Sequence, residues 1–222
     1  MSMKRSELLQ HLANEILAIE CNHPLLVAID GRDAAGKTIL AHELSEKLSG
    51  LGRNVIEASI DGFHNPRSIR YKRGRDDPEG YYRDSFDLVS LKKHLLVPLK
   101  VGCMSYRTQV FDYRKDHVVD IPKKKAQCDS ILVFDGVFTH RNELRCYWNY
   151  SVYLYVSEEE SLRRGINRDP GGSEEIKRKY QGRYLPGQRL YHTESEPMKH
   201  ASIIVDNTDP DNPVILGKSK EE

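Results

Sequence analysis

The sequence lacks most marks of a specialised chain. Its four cysteines, Cys21, Cys103, Cys128 and Cys146, stand far apart with no CxxC pair, which argues against zinc ribbons, thioredoxin-type redox sites and a secreted disulfide framework. No apolar run approaches the roughly 20 residues needed to span a bilayer. The start, MSMKRSELLQHLANEIL, has the pattern of a charged amphipathic helix rather than a signal peptide. A protein of the reducing cytoplasm with no membrane partner is expected. Net charge is nearly absent too: 34 basic against 33 acidic residues leave +1, which fits neither a basic coat for nucleic-acid polymers nor an acidic disordered tail. There is no internal repeat. What remains is 222 residues, 38% of them hydrophobic, enough to bury roughly 70% of the surface the unfolded chain exposes without disulfide staples or a structural metal. One domain over 1–222 is expected, its oligomeric state left open, a homo-oligomer included.

Apolar, β-rich runs at 25–30, 54–60, 131–135, 150–156 and 202–206 alternate with stretches of helical period at 6–19, 37–51, 87–95, 158–168 and 173–180. That alternation predicts an α/β fold: a doubly wound, parallel five-stranded sheet flanked by helices. Two insertions, about 62–82 and 104–120, do not fit the sheet. The first is rich in Arg, Asp, Pro, Gly and Tyr without a period and is too long for an idle connection, so it reads as a functional loop. The second places aromatic and apolar residues near period two, as in a small β-ribbon. Cations recur among glycines and prolines over about 163–190, which suits a hinged helical lid, and only 217–222 reads as a disordered tail.

The first expected strand, LLVAID, runs into Gly31-Arg32-Asp33-Ala34-Ala35-Gly36-Lys37-Thr38, and a helical pattern follows at once. This is GxxxxGK[ST] in the strand, loop and helix context of a phosphate-binding loop. Gly31 and Gly36 let the backbone wrap a phosphate, and the amides of Asp33, Ala34, Ala35 and Gly36, with the positive end of the following helix, face its charge. Lys37 would reach the β and γ phosphates and the Thr38 hydroxyl would ligate magnesium. The loop therefore points to ATP and Mg2+. A guanine-reading NKxD is lacking, the nearest string being Asn167-Arg168-Asp169, and the chain is short for a ring or transporter ATPase.

A small-molecule kinase also needs a carboxylate to orient or deprotonate a hydroxyl, and cations for the transferring phosphoryl group. Asp61 follows the second expected strand, where open α/β sheets gather their ligands. Asp135 closes ILVFD in the position of a magnesium-holding acid. Each is followed by glycine and could equally form a plain turn. Arg164 and Arg168 share a helix face with Arg163 beside them, either as phosphoryl-stabilising cations or as a solvated surface.

Together these residues resemble the uridine kinase and phosphoribulokinase family of P-loop kinases, to which bacterial pantothenate kinase is similar. The resemblance covers nearly the whole chain and rests on GRDAAGKT, SIDGFH, DDPEGYYRDSFD, ILVFDGVF with SLRRGINRD, and EPMKHASIIVDNTDPDNP. It implies a helical lid opened by Arg163, Arg164 and Arg168, Asp61 as catalytic base, an acceptor site shaped by Asp77, Pro78 and Tyr82, and Asn207 and Pro213 near the adenine. Lys37, Asp61, Arg164 and Arg168 are the expected catalytic set. Acceptor candidates are Phe63, His64, Tyr82, Phe111, Tyr113 and, from the lid, Arg189 with Arg183 and Gln188. Where uridine kinases read PxYDFxxHxR, this chain has Val110-Phe111-Asp112-Tyr113-Arg114-Lys115-Asp116-His117, with phenylalanine for the tyrosine and the histidine displaced by one. The implied activity is ATP- and Mg2+-dependent phosphorylation of a small metabolite's hydroxyl, most simply a nucleoside's, with pantothenate, ribosyl nicotinamide or a sugar phosphate as alternatives. A nucleotide-binding regulatory module without turnover is the rival of another class. Arg67, Arg70, Lys72, Arg73 and Arg75 put five cations into nine residues. They would either attract an anionic acceptor or balance the nearby acids.

Overall fold

The computed structural model describes residues 3–102, 105–168 and 173–218. Helix α1 (Arg5–Leu17) precedes β1 (Leu25–Gly31), α2 (Lys37–Gly50) and β2 (Val55–Ser59). A 3-10 turn (Ile60–Phe63) and two short helices, α3 (Arg67–Arg70) and α4 (Pro78–Asp84), occupy the first insertion. Helices α5 (Leu88–Leu91) and α6 (Val97–Val101) are joined by a π-helical turn. Strands β3 (Ser105–Tyr106), β4 (Phe111–Asp112), β5 (His117–Val118) and β6 (Lys124–Lys125) form two small antiparallel ribbons, β3 with β6 and β4 with β5. Then come β7 (Ile131–Asp135), β8 (Tyr150–Tyr155), α7 (Glu158–Arg168), α8 (Ser173–Lys179), α9 (Leu185–Ser195), α10 (Pro197–His200), β9 (Ile203–Asp206) and β10 (Val214–Lys218).

Local chemistry explains the ends that matter for the site. Asp77 caps α4 by accepting from the Gly80 amide at 2.5 Å, with Pro78 in the first turn. Ser157 accepts from the Glu160 amide at 3.1 Å, and Glu158, Glu159 and Glu160 meet the positive end of α7.

The main sheet has the order β10-β9-β8-β1-β7-β2. Its five parallel strands are the five apolar runs of the sequence. A sixth strand, β10, joins β9 antiparallel at the edge, so the sheet is six-stranded rather than five-stranded, and Gly217 and Lys218 belong to a strand rather than a tail. This edge strand is only partly buried and carries an irregularity between Ile215 and Gly217, and its apolar run, Val214-Ile215-Leu216, is short and ends at a glycine. Inside the sheet the side chains alternate as a doubly covered layer requires. Leu25, Val27, Ile29, Ile131 and Val133 pack in one core with α1 and α2, while Leu26, Leu132 and Phe134 enter the other with α4, α5, α6 and Tyr191 of α9. β1 is buried throughout. No helix among the described residues is long and apolar enough to cross a membrane. Among the described residues Cys21 and Cys146 are free thiols, and Cys128 is disulfide-bonded, which the sequence spacing did not suggest.

Candidate functional site

The carboxyl ends of β1, β2 and β7 open into a cleft of about 580 Å3 whose walls include Lys37, Thr38, Asp61, His64, Asp135 and Arg168. The phosphate loop forms its floor. Gly31 has φ +146° and a Cβ there would strike the Leu154 carbonyl oxygen; Gly36 has φ +96° and a Cβ would lie 2.8 Å from Asn207 Nδ2. Both positions therefore demand glycine. The loop is braced from behind: Ser161 Oγ donates to the Asp33 carbonyl (2.7 Å) and Asn207 Nδ2 to the Ala35 carbonyl (2.8 Å). From the front, the Tyr81 hydroxyl (2.7 Å) and Gln188 Nε2 both donate to Asp33 Oδ2. Lys37 Nζ rests on the carbonyls of Gly31 (3.0 Å) and Arg32 (2.6 Å).

Thr38 Oγ1 donates to Asp135 Oδ2 at 2.8 Å. Burial pushes the Asp135 carboxyl above its ordinary range, and the nearby Asp61 charge adds to this against Thr38 and Lys37. A hydroxyl and a carboxylate in contact at the end of a phosphate loop are the oxygen donors Mg2+ prefers when phosphates supply the rest of its shell. Among the described residues no group of three or more His, Cys, Asp or Glu could hold a metal.

Asp61 sits in the 3-10 turn after β2 with 56% of its side chain exposed, and His64 Nε2 lies 3.3 Å from its Oδ1. The His64 Nδ1 faces the Ser85 carbonyl at 3.0 Å, which fixes the ring. Burial raises the Asp61 carboxyl, yet contact with His64 and the charges of Lys37 and Arg114 hold it below its ordinary range. It is therefore an ionised carboxylate facing the cleft.

The three lid arginines separate. Arg168 lines the cleft. Arg163 and Arg164 both grip Glu160, at 2.7 and 2.6 Å, and hold its carboxyl down to about 2. Arg164 also donates to the carbonyls of Asn207 (2.8 Å) and Thr208 (3.1 Å), so it ties the loop after β9 to α7. Arg164, expected on the transferring phosphoryl, also lies 3.5 and 3.4 Å from the Ala34 and Ala35 carbonyls of the phosphate loop, and Arg163, expected on the nucleotide, is paired with Glu160 alone among the acids of the described residues.

Of the acceptor candidates, His64 and Tyr113 line the cleft. Phe63 and Tyr82 are core residues, and the Tyr82 hydroxyl shares a hydrogen bond with Ser195. Phe111 lines a neighbouring cavity of about 520 Å3 behind the ribbon. Arg189 is exposed and paired with Glu158, outside the cleft walls. Asn207 holds the Ala35 carbonyl rather than lining the cleft.

Sequence reasoning missed one buried cluster. Asp30, fully buried below the loop, accepts from the Gly31 amide (2.7 Å), His140 Nδ1 (2.8 Å) and the Tyr191 hydroxyl, while His140 Nε2 meets Ser151 Oγ at 2.8 Å. No local pattern could reveal it, since its members stand 110 and 161 residues apart.

No protein-family model matches the chain. Over 193 residues it is 26% identical to a uridine kinase of Leuconostoc citreum, spanning 82% of this chain and 87% of that relative. The solved structure of a possible uridine kinase from Bacillus stearothermophilus is 25% identical, with a TM-score of 0.66, and covers 90% of this chain and 97% of that one. The chain is thus similar to the uridine kinase and phosphoribulokinase-like P-loop kinases. The family's fold reaches further: D-glycerate 3-kinase from Cryptococcus neoformans var. grubii shares it at 14% identity and a TM-score of 0.61, over 96% of this chain and 99% of that one.

Proposed function

We propose that this protein is an ATP- and Mg2+-dependent kinase that transfers a phosphoryl group to a hydroxyl of a small metabolite. One observation carries the reading: Lys37, the Thr38–Asp135 pair, the ionised Asp61 and Arg168 face a single cleft. A binding module needs the first two but neither a free carboxylate nor an arginine opposite it. The chain acts as one kinase domain in the cytoplasm, with residues 163–190 as its lid; 169–172 lie outside the described residues.

The nucleotide's phosphates rest on the amides around Gly36, with Lys37 as their cation. Thr38 and Asp135 would hold Mg2+, which when bound neutralises phosphate charge. Asp61 orients the acceptor hydroxyl and takes its proton as the phosphoryl group moves, and Arg168 faces the charge on the transferring oxygens. Asp33, clamped by Tyr81 and Gln188, fixes the acceptor loop and the lid helix against the phosphate loop. Positioning of this kind supplies most of the acceleration in phosphoryl transfer.

A nucleoside is the first acceptor to test, followed by pantothenate, ribosyl nicotinamide and sugar phosphates. The test is ADP release, coupled to NADH oxidation, with and without each acceptor. Stimulation by one of them supports the kinase, whereas ATP binding with no stimulation by any acceptor would favour the regulatory module.

A further inference from the structure

Resting on that reading, we propose that the acceptor carries an anionic group, a phosphate or a carboxylate, and that Arg67 and Arg114 bind it. The cleft is walled by five arginines, Arg67, Arg70, Arg114, Arg168 and Arg183, and what each already holds sorts them. Arg183 is buried and spends its guanidinium on four backbone carbonyls, those of Arg70, Gly74, Arg75 and Asp77. Arg70, also buried, is paired with Asp116 at 3.1 Å. Arg73, outside the cleft walls, bridges Glu79 and Asp84. Arg168 stands on α7 at the nucleotide side.

Arg67 and Arg114 are left. Both are exposed, and neither has an ion pair among the described residues. They come from different segments, but the structure joins them: Arg67 Nη2 donates to the Arg114 carbonyl at 3.2 Å, and the Arg67 amide donates to Asp116 Oδ1 at 2.9 Å. Arg114 Nε lies 3.4 Å from the Tyr113 hydroxyl. Helix α3 and the ribbon turn are thereby pinned into one wall, which carries two guanidinium groups at the Asp61 end.

The acids nearby act on these guanidinium groups only at longer range, Asp61 and Asp112 on Arg114 and Asp116 on Arg67, with no direct ion pair to either among the described residues. Asp116 is engaged by the Arg67 amide and Arg70, Asp61 by His64, Asp33 by Tyr81 and Gln188, and Asp135 by Thr38. A neutral acceptor would leave both guanidinium groups without a direct ion partner. A phosphate or carboxylate would satisfy both through paired N–H donors. The same wall would hold the anion at one end of the acceptor while its hydroxyl meets Asp61 at the other.

The test measures acceptor-stimulated ADP release with a neutral set (uridine, cytidine, adenosine, D-ribose) and an anionic set (ribose 5-phosphate, D-glycerate, pantothenate). Turnover should concentrate in the anionic set, and the phosphate- and carboxylate-bearing members tell the two groups apart. For the best acceptor, Arg67→Ala and Arg114→Ala should each raise KM roughly 10- to 100-fold, the scale of one charged hydrogen bond. The KM for ATP and the melting temperature should stay put, and Arg114→Lys should recover part of the loss. A neutral acceptor that turns over as well as any anionic one, or an anionic acceptor whose KM ignores both alanine variants, would overturn the inference and leave the kinase standing. Silence from every acceptor would overturn the kinase reading and this inference together.

Discussion

At the nucleotide end of the cleft eight consecutive residues, Gly31 to Thr38, supply the chemistry, and buried side chains from α7, α9 and the loop after β9 hold them in place. At the acceptor end the chemistry is dispersed: Asp61, His64 and Arg67 follow β2, Tyr113 and Arg114 sit in the ribbon, and Arg67 and Asp116, the link between the segments, are 49 residues apart. The first end is rigid by contiguity and burial, the second by a few hydrogen bonds between exposed segments. On the proposed reading, phosphate binding is built into the local chain, whereas acceptor choice depends on how two insertions meet. Changes at the first end should abolish function or folding for every acceptor, and changes at the second should redistribute preference among acceptors.

The largest effect is expected beneath the nucleotide end. His140→Ala leaves the fully buried Asp30 without its imidazole partner, with only the Tyr191 hydroxyl and backbone amides remaining, and should cost about 3 to 5 kcal/mol of stability, read by urea denaturation. Burial pushes the Asp30 carboxyl up, but His140 and Tyr191 hold it below its ordinary range. A lowered carboxyl contributes stability that is complete above its unfolded value, near ~4, and is lost as pH falls through the native value. Wild-type stability should therefore drop more steeply on acidification below about pH 4 than that of Asp30→Asn. Parallel curves would remove Asp30 from the brace.

Next in size, Lys37→Ala should cut kcat on the order of 100- to 1000-fold for every acceptor while leaving the melting temperature unchanged, because Lys37 touches only two loop carbonyls. A loss confined to one acceptor would break the contrast between the two ends. Smaller again is the difference among the arginines. Arg168→Ala should lower kcat roughly 10- to 100-fold, as expected for one charged donor, while Arg163→Ala and Arg189→Ala, whose charges are held by Glu160 and Glu158, should stay within about 2-fold. Equal losses from Arg163 and Arg168 would contradict the sorting.

Much of the fold was legible because the five parallel strands are buried on both faces and read as unbroken apolar runs. The phosphate loop was legible because its chemistry is contiguous. Edge strand β10 was not, since its apolar run, Val214 to Leu216, is short and only partly buried. Arg163, Arg164 and Arg168 looked alike in sequence, and only the position of Glu160 one turn earlier on α7 separates them. The basic stretch after Pro66 named Arg67, but its alliance with Arg114 depends on the ribbon folding back, which no spacing encodes. Phe63 and Tyr82 lie in the core cluster, a place the sequence did not reveal because a large aromatic beside a proposed base is as readily core as cleft.

The claim on which the rest depends is that Asp61 acts on the acceptor hydroxyl and not on the nucleotide. Asp61→Asn keeps the shape of the side chain and removes the proton acceptor, so kcat for the best acceptor should fall about 100-fold, the usual scale for a positioned base. ATP affinity, measured by calorimetry on the same preparation, should hold within about 2-fold, since Lys37, Thr38 and Asp135 are untouched. An unchanged kcat, or a loss of ATP affinity as large as the loss of rate, would contradict the account.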